Sequence, residues 1–268
     1  MPQRRERPRL GQNFLVDSTA QTAIVDALGD ASNRTVVEIG PGRGALTALL
    51  AGRARWLVTI ELDRELAGRL REQFADRVSV EVLERDVLGT DFAALRGVDG
   101  EKLLVVGNLP YYITSDILLR LFQFEAVVER AVLMMQREVA DRVAAHPGTS
   151  DYGVLSATTQ MYARVEKLMT LPPTAFSPPP QVHSTVVRLT MAPRFDELGV
   201  EAGGFLPFVR SCFAQKRKML GKNLRNAGYE AGAIAAGFAG CGISSQVRAE
   251  AVGLEGMACL FRRLTASR

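Results

Sequence analysis

Histidine and cysteine are both scarce in this 268-residue chain, which has two of the first and three of the second. Two histidines are too few for a His-based metal centre, and no Ser/His/Asp or Cys/His arrangement for nucleophilic catalysis is evident. Cys212, Cys241 and Cys259 contain no C-x-x-C pair, and their odd number prevents complete pairing. Neither a zinc site nor a disulfide framework is therefore expected; reduced thiols in a cytoplasmic protein are. Long hydrophobic runs are missing as well. No stretch approaches the roughly 18 apolar residues of a membrane span. The opening "MPQRRERPRLGQNFL" has arginines with no apolar segment behind them, so no secretory signal is expected.

What is present is the composition of a soluble globular protein, 47% hydrophobic and 23% charged. The net charge of +4 is modest, with a pI near 9.1, but it is unevenly placed. Arg4, Arg5, Arg7 and Arg9 sit at one end, and Lys216, Arg217, Lys218, Lys222 and Arg225 cluster far along the chain. Each group alone reads as a solvated surface. Together in a basic chain they point to a polyanionic partner such as nucleic acid.

Short β-rich runs recur at 35–40, 56–62, 78–86, 103–108 and 131–136, with helical segments between them. That alternation predicts an α/β domain with a parallel, doubly wound sheet. "REVADRVAAH" reads as a helix stopped by Pro147-Gly148, and "HSTVVRL" at 183–189 as one more strand. From Gly203 onward the pattern turns helical, with the basic cluster falling between apolar positions of a predicted helix. The expected division is 1–192 and 193–268, the second part small and all-helical.

In such a sheet, ligands bind beyond the carboxyl ends of the strands. The first strand ends in Glu38-Ile39-Gly40-Pro41-Gly42-Arg43-Gly44, a glycine turn that lets the backbone approach a ligand closely. Its G-x-G-x-G form differs from the dinucleotide fingerprint, with Ala45 in place of the last glycine. The second strand ends in Glu61, 21 residues beyond Gly40, where an acid accepts hydrogen bonds from ribose hydroxyls. Asp86 ends the third, ready to accept from an exocyclic amine. Either acid alone also fits a solvated strand end. The fourth strand delivers "GNLPYY". An adenine amine is a poor nucleophile because its lone pair is delocalised into the ring. The Asn108 oxygen and the Leu109 carbonyl, on a turn fixed by Pro110, would hold such an amine, and Tyr111 could stack on the base. A base treated in this way must leave its helix or sit unpaired in a loop.

At these residues the chain resembles the Rossmann-like S-adenosylmethionine-dependent methyltransferases. "LGQNFLVD", "VEIGPGRGALT", "IELDR", "GNLPY", "LPPTAFSPPPQVHSTVVRL" and "FAQKRKMLGKNL", in that order over about 10–255, resemble the bacterial small-subunit ribosomal RNA adenine dimethyltransferase family. The resemblance implies a methyltransferase domain with a small helical RNA-binding domain. It also implies N6,N6-dimethylation of two adjacent adenines in a hairpin loop of small-subunit RNA, within an immature 30S subunit in the cytoplasm. S-adenosylmethionine would be the methyl donor and no metal would be needed; a monomer is expected. By motif, Asn13, Leu15, Gly40, Glu61, Asp86 and Asn108 would bind the cofactor. Asn108, Leu109, Pro110 and Tyr111 would frame the target amine. Phe176, held out of the core by its prolines, would stack on the base from the other side. Lys216, Arg217, Lys218, Lys222, Arg225 and the N-terminal arginines would grip RNA phosphates. Tyr112 and His183 depart from the family's commonest residues. Two other readings stay open: a large-subunit RNA adenine methyltransferase of the macrolide-resistance type, and a non-catalytic assembly factor on the same scaffold.

Overall fold

The computed structural model describes residues 12–95 and 100–266, so the N-terminal arginines lie outside the described residues. The first half alternates strand and helix: β1 Phe14–Leu15, α1 Ser18–Asp26, β2 Thr35–Ile39, α2 Ala45–Leu50, β3 Trp56–Glu61, α3 Arg64–Gln73 and β4 Val80–Glu84. It continues with β5 Leu103–Asn108, α4 Thr114–Gln123, β6 Val128–Gln136, α5 Arg137–Val143, α6 Val154–Tyr162, β7 Ala163–Leu171, β8 Phe176–Ser177 and β9 Ser184–Met191. Beyond these, α7 Phe195–Leu198, α8 Ala202–Cys212, α9 Leu220–Asn226, α10 Ala231–Gly240 and α11 Leu254–Thr265 are helical.

The main sheet has the order β4-β3-β2-β5-β6-β9-β7. Its first five strands are parallel, as the alternating pattern predicts, while β9 and β7 are antiparallel additions at one edge. Alternation along β5 shows why the sheet is covered on both faces. Leu103 and Val105 join one buried cluster with α4, and Leu104 and Val106 join another with α1 and α2. Each such buried side chain contributes roughly 1.5–3 kcal/mol of transfer free energy. Aspartates begin the helices close behind the strands: Asp17 Oδ1 accepts from the Ala20 N–H at 3.0 Å, and Asp63 Oδ1 accepts from Glu65 and Leu66.

The strand β7 was not anticipated. Arg164, Glu166 and Lys167 lie in an edge strand whose alternation is broken by a register shift between Lys167 and Met169, so its apolar period is weak. A third buried cluster unites Phe205, Phe208, Leu224, Phe238 and Leu260 of the late helices with Tyr152, Ala157 and Met161 of the segment before β7.

Two expectations about this late region are corrected. The basic segment is not one helix: α8 stops at Cys212, α9 starts at Leu220, and Lys216, Arg217 and Lys218 stand on the turn between them. Asn223 sets that turn, its Nδ2 donating to the Cys212 carbonyl at 2.6 Å and the Gln215 carbonyl at 3.3 Å. A buried amide thus takes carbonyls that a continuous helix would have bonded to its own backbone. The second correction concerns the thiols. Cys241 and Cys259 form a disulfide with Cα atoms 6.0 Å apart, and only Cys212 is free. The pair is 18 residues apart in sequence and meets because α10 packs on α11, which no local spacing signals.

Candidate active site

A cavity of about 440 Å³ opens at the carboxyl ends of β2, β3 and β5. This is where the strand order changes direction, since β3 and β5 follow β2 on opposite sides. Its lining includes Asn13, Leu15, Gly40, Glu61, Asp86, Asn108, Leu109, Pro110 and Tyr111, so four strand ends and the β1 segment converge on it.

The glycine turn is left-handed at Gly40, Gly42 and Gly44, with φ of +66°, +56° and +81°. At Gly40 a Cβ would lie 3.3 Å from the Asn108 carbonyl oxygen, so a side chain there would be strained and would also crowd β5. Glu61 is held from both sides: Oε2 accepts from the Gly42 N–H at 3.1 Å and Oε1 from the Asp63 N–H at 2.9 Å. Each oxygen keeps a second lone pair, which suits it to a vicinal diol. Burial raises its pKa against the pull of those N–H donors. Asp86 is exposed; its Oδ1 accepts from the Leu88 N–H at 2.9 Å, leaving Oδ2 for a ligand donor.

Asn108 is oriented by the chain itself. Its Nδ2 donates to the Asn13 carbonyl at 2.9 Å, which fixes Oδ1 as the acceptor that remains. Leu109 is buried, and its N–H donates to the Met134 carbonyl at 2.9 Å, pinning the turn to β6. Among the described residues neither Asn108 Oδ1 nor the Leu109 carbonyl accepts a hydrogen bond. Two acceptors therefore stand on adjacent residues with Pro110 behind them. Thr114 Oγ1 donates to the Pro110 carbonyl at 3.1 Å, and the Tyr111 hydroxyl shares a 2.7 Å hydrogen bond with Ser184 Oγ of β9.

Phe176 departs from expectation. It is 3% exposed, pairs with Leu15 in the small β1–β8 sheet, and does not line the cavity. Strand alternation explains this: one of Phe176 and Ser177 must face inward, and the apolar one does. All five basic residues of 216–225 are exposed, and among the described residues none is paired with an acid.

In the sequence, Glu38 reads only as part of the glycine motif. It lines the cavity at 1% exposure, and Thr47 Oγ1 of α2 donates to its Oε2 at 2.6 Å. A carboxylate inside an otherwise apolar strand was the available signal. Burial pushes its pKa from 4.5 up to about 7, opposed by the Thr47 hydrogen bond and aided by the charge of Glu61. The folded chain thus holds this proton more tightly than the unfolded one, so stability falls as pH rises from about 4.5 to 7. Glu38→Gln, neutral at every pH, is expected to flatten that fall. Melting curves of parent and variant between about pH 5 and 7.5 check it, with Glu61 leaving a smaller slope of the same sign.

The profile of the ribosomal RNA adenine dimethylase family matches residues 3–265. The chain belongs to this family. The dimethylase fold extends over the late helices as well as the sheet. A curated relative from Acidobacterium capsulatum, "Ribosomal RNA small subunit methyltransferase A", is 63% identical over 97% of this chain and 92% of its own. Two solved structures share the fold. A dimethyladenosine transferase from Plasmodium falciparum is 23% identical, with a TM-score of 0.77 over 92% of this chain and 95% of that one. The 23S rRNA methyltransferase ErmE is 28% identical, with a TM-score of 0.72 over 94% and 100%.

Proposed function

We propose that this dimethylase transfers methyl groups from S-adenosylmethionine to N6 of two adjacent adenines in small-subunit ribosomal RNA, giving N6,N6-dimethyladenosines. The observation that carries the reading is the acceptor pair of Asn108 and Leu109 at the mouth of a cavity whose other residues suit a nucleoside. The donor set fits S-adenosylmethionine: Glu61 for the ribose hydroxyls, Asp86 for an exocyclic amine, and a glycine turn with no Cβ in the way. When bound, that group supplies an electrophilic methyl on a sulfonium.

The chain's own residues do the rest. Asn108 Oδ1 and the Leu109 carbonyl accept the two amine hydrogens in the first transfer and the one that remains in the second, favouring a pyramidal nitrogen whose lone pair points at the methyl; the proton released from nitrogen at each transfer leaves to solvent. Tyr111, its hydroxyl tied to Ser184, offers its ring to the base. Catalysis is then mainly orientation of the amine toward the methyl. Because the bound sulfonium would itself carry the electrophilic charge, the residues of the site would need only to hold and orient the two reactants.

Small-subunit RNA is favoured over large-subunit RNA by the Acidobacterium relative, because the ErmE fold alone is compatible with either substrate. Incubating unmethylated small subunits and naked large-subunit RNA side by side with labelled cofactor, then locating the label by mass spectrometry, decides the point. Exclusive labelling of the large-subunit RNA would overturn the reading.

We further read the substrate as an immature 30S subunit met by a monomer in the cytoplasm, and the division near 192–193 as a boundary between chemistry and RNA grip. In support of that division, β9 ends at Met191, and among the described residues every named element beyond it is helical. The grip is the turn 213–219 with Lys222 and Arg225 of α9, whose unpaired cations suit phosphates. Lys216→Glu combined with Arg217→Glu is expected to weaken subunit binding and lower the salt slope by about two, one per lost phosphate contact, with cofactor affinity unchanged. Binding isotherms at a series of salt concentrations check this, and parallel slopes would remove the turn from the interface.

A further inference from the structure

We propose that Tyr112 is a stacking subsite for the unpaired purine next to the target adenine. This rests on the adenine-methylation reading above and adds a second base contact to it.

Three observations carry the proposal. The segment Tyr111–Ile113 is a single 3-10 turn, whose three residues per turn send successive side chains about 120° apart. Tyr111 is tied to Ser184 and Ile113 packs against the core, which leaves Tyr112 facing outward. Tyr112 lines the cavity and yet is 63% exposed. Among the described residues its hydroxyl has no hydrogen-bond partner, so neither packing nor a polar contact accounts for an aromatic ring at this place. Two other apolar residues of the same cavity are also exposed, Val16 at 54% and Leu62 at 45%, among the charged Arg43, Arg85 and Asp86. Apolar groups exposed together at the mouth of a site mark a surface that becomes covered when the site is used.

The reaction supplies a partner of matching chemistry. Extruding one of two neighbouring adenines into the cavity removes it from the stack, and the base left behind loses a partner on one face. A tyrosine ring can replace that face, since every base has a π surface and aromatic stacking is indifferent to hydrogen-bonding pattern. With Phe176 buried in the small β1–β8 sheet, Tyr111 and Tyr112 are the tyrosines at the cavity. One serves each of two adjacent bases.

The test uses the full chain, unmethylated small subunits and S-adenosylmethionine, with four proteins: parent, Tyr112→Ala, Tyr112→Leu and Tyr112→Phe. Stacking predicts a KM for subunits raised about tenfold in the Ala and Leu variants and restored by Phe, which keeps the ring. Cofactor affinity and melting temperature should stay at the parental values in all four. A parental KM in Tyr112→Ala, or full recovery in Tyr112→Leu, would overturn the subsite while leaving the methylation reading intact. So would a loss of cofactor affinity that matches the loss for subunits, because the ring would then serve the cofactor. Absence of small-subunit labelling by the parent would bring down both.

Discussion

Asn108→Ala is expected to lower methyl transfer by roughly a hundredfold or more, the loss seen when one preorganised hydrogen-bonding group is removed from a reacting centre. The substitution removes two things at once. Oδ1 is one of the two acceptors for the amine, and Nδ2 is the donor that fastens the Asn13 carbonyl across the cavity. Asn108→Asp separates them. It retains an acceptor but sets a carboxylate oxygen against the Asn13 carbonyl where an N–H had been, and that repulsion turns the side chain away. The aspartate variant should therefore rescue little. Binding to pre-ribosomal particles should survive in both variants, because the exposed cations of 216–225 are distant in sequence and held by a different buried amide, Asn223. Single-turnover transfer on small subunits, with particle binding measured in parallel, checks the pair of expectations. Unchanged turnover in Asn108→Ala would refute the role given to this side chain, and loss of both activities would show that it is structural. The same pair bears on the non-catalytic alternative, in which neither variant would change the measured behaviour.

The residues around Asn108 were legible because several local signals agree there. An apolar run covered on both faces identifies β5, and Gly107, Asn108 and Pro110 break it at once, so strand end and turn are read from the same few positions. Glu61 and Asp86 were legible for the same reason, each standing at the carboxyl end of a β-rich run. Where the outcome depends on packing between distant segments, the local pattern misleads. The apolar spacing of 203–224 is compatible with one helix, and only the buried Asn223 amide, bonding Cys212 and Gln215, makes it two. Phe176 follows prolines and reads as presented outward, but pairing of its strand with Leu15 turns it inward. The Cys241–Cys259 bond depends on how α10 lies on α11, and β7 on hydrogen bonds from β9 that its charged sequence does not announce. Sequence periodicity reports how each segment meets its own surroundings. It carries little about which distant segment those surroundings are.

Gly107→Ala is the substitution expected to cost most stability, and its cause lies in the approach of β5 to β2. A Cβ at Gly107 would stand 2.7 Å from the Ile39 carbonyl oxygen and 3.1 Å from the Ile39 Cβ. The first contact is with backbone, inside a ladder where Ile39 and Gly107 are paired, so no rotamer change can relieve it and the strands must separate. Overpacking of this kind costs about 3 kcal/mol, the upper end of its usual range. For a chain of this size that corresponds to a Tm lower by roughly 6–12 °C. Gly68→Ala is the matched control. Gly68 lies within α3, nothing stands within 4 Å of an added Cβ, and alanine favours the helix by about 0.5–1 kcal/mol. Opposite signs are therefore expected from the same chemical change, readable in one calorimetric comparison; equal shifts would contradict the close approach. The consequence reaches the chemistry. A Cβ at Gly40 would meet the Asn108 carbonyl at 3.3 Å, so Gly40 and Gly107 together allow the ends of β2 and β5 to close on each other. That closure sets the acceptors of "NLPY" beside the glycine turn, where the amine and the methyl donor must meet. Gly107→Ala molecules that remain folded should transfer methyl groups slowly while keeping their affinity for subunits. The glycine before Asn108 is therefore a distance requirement of the reaction as well as a packing requirement of the sheet.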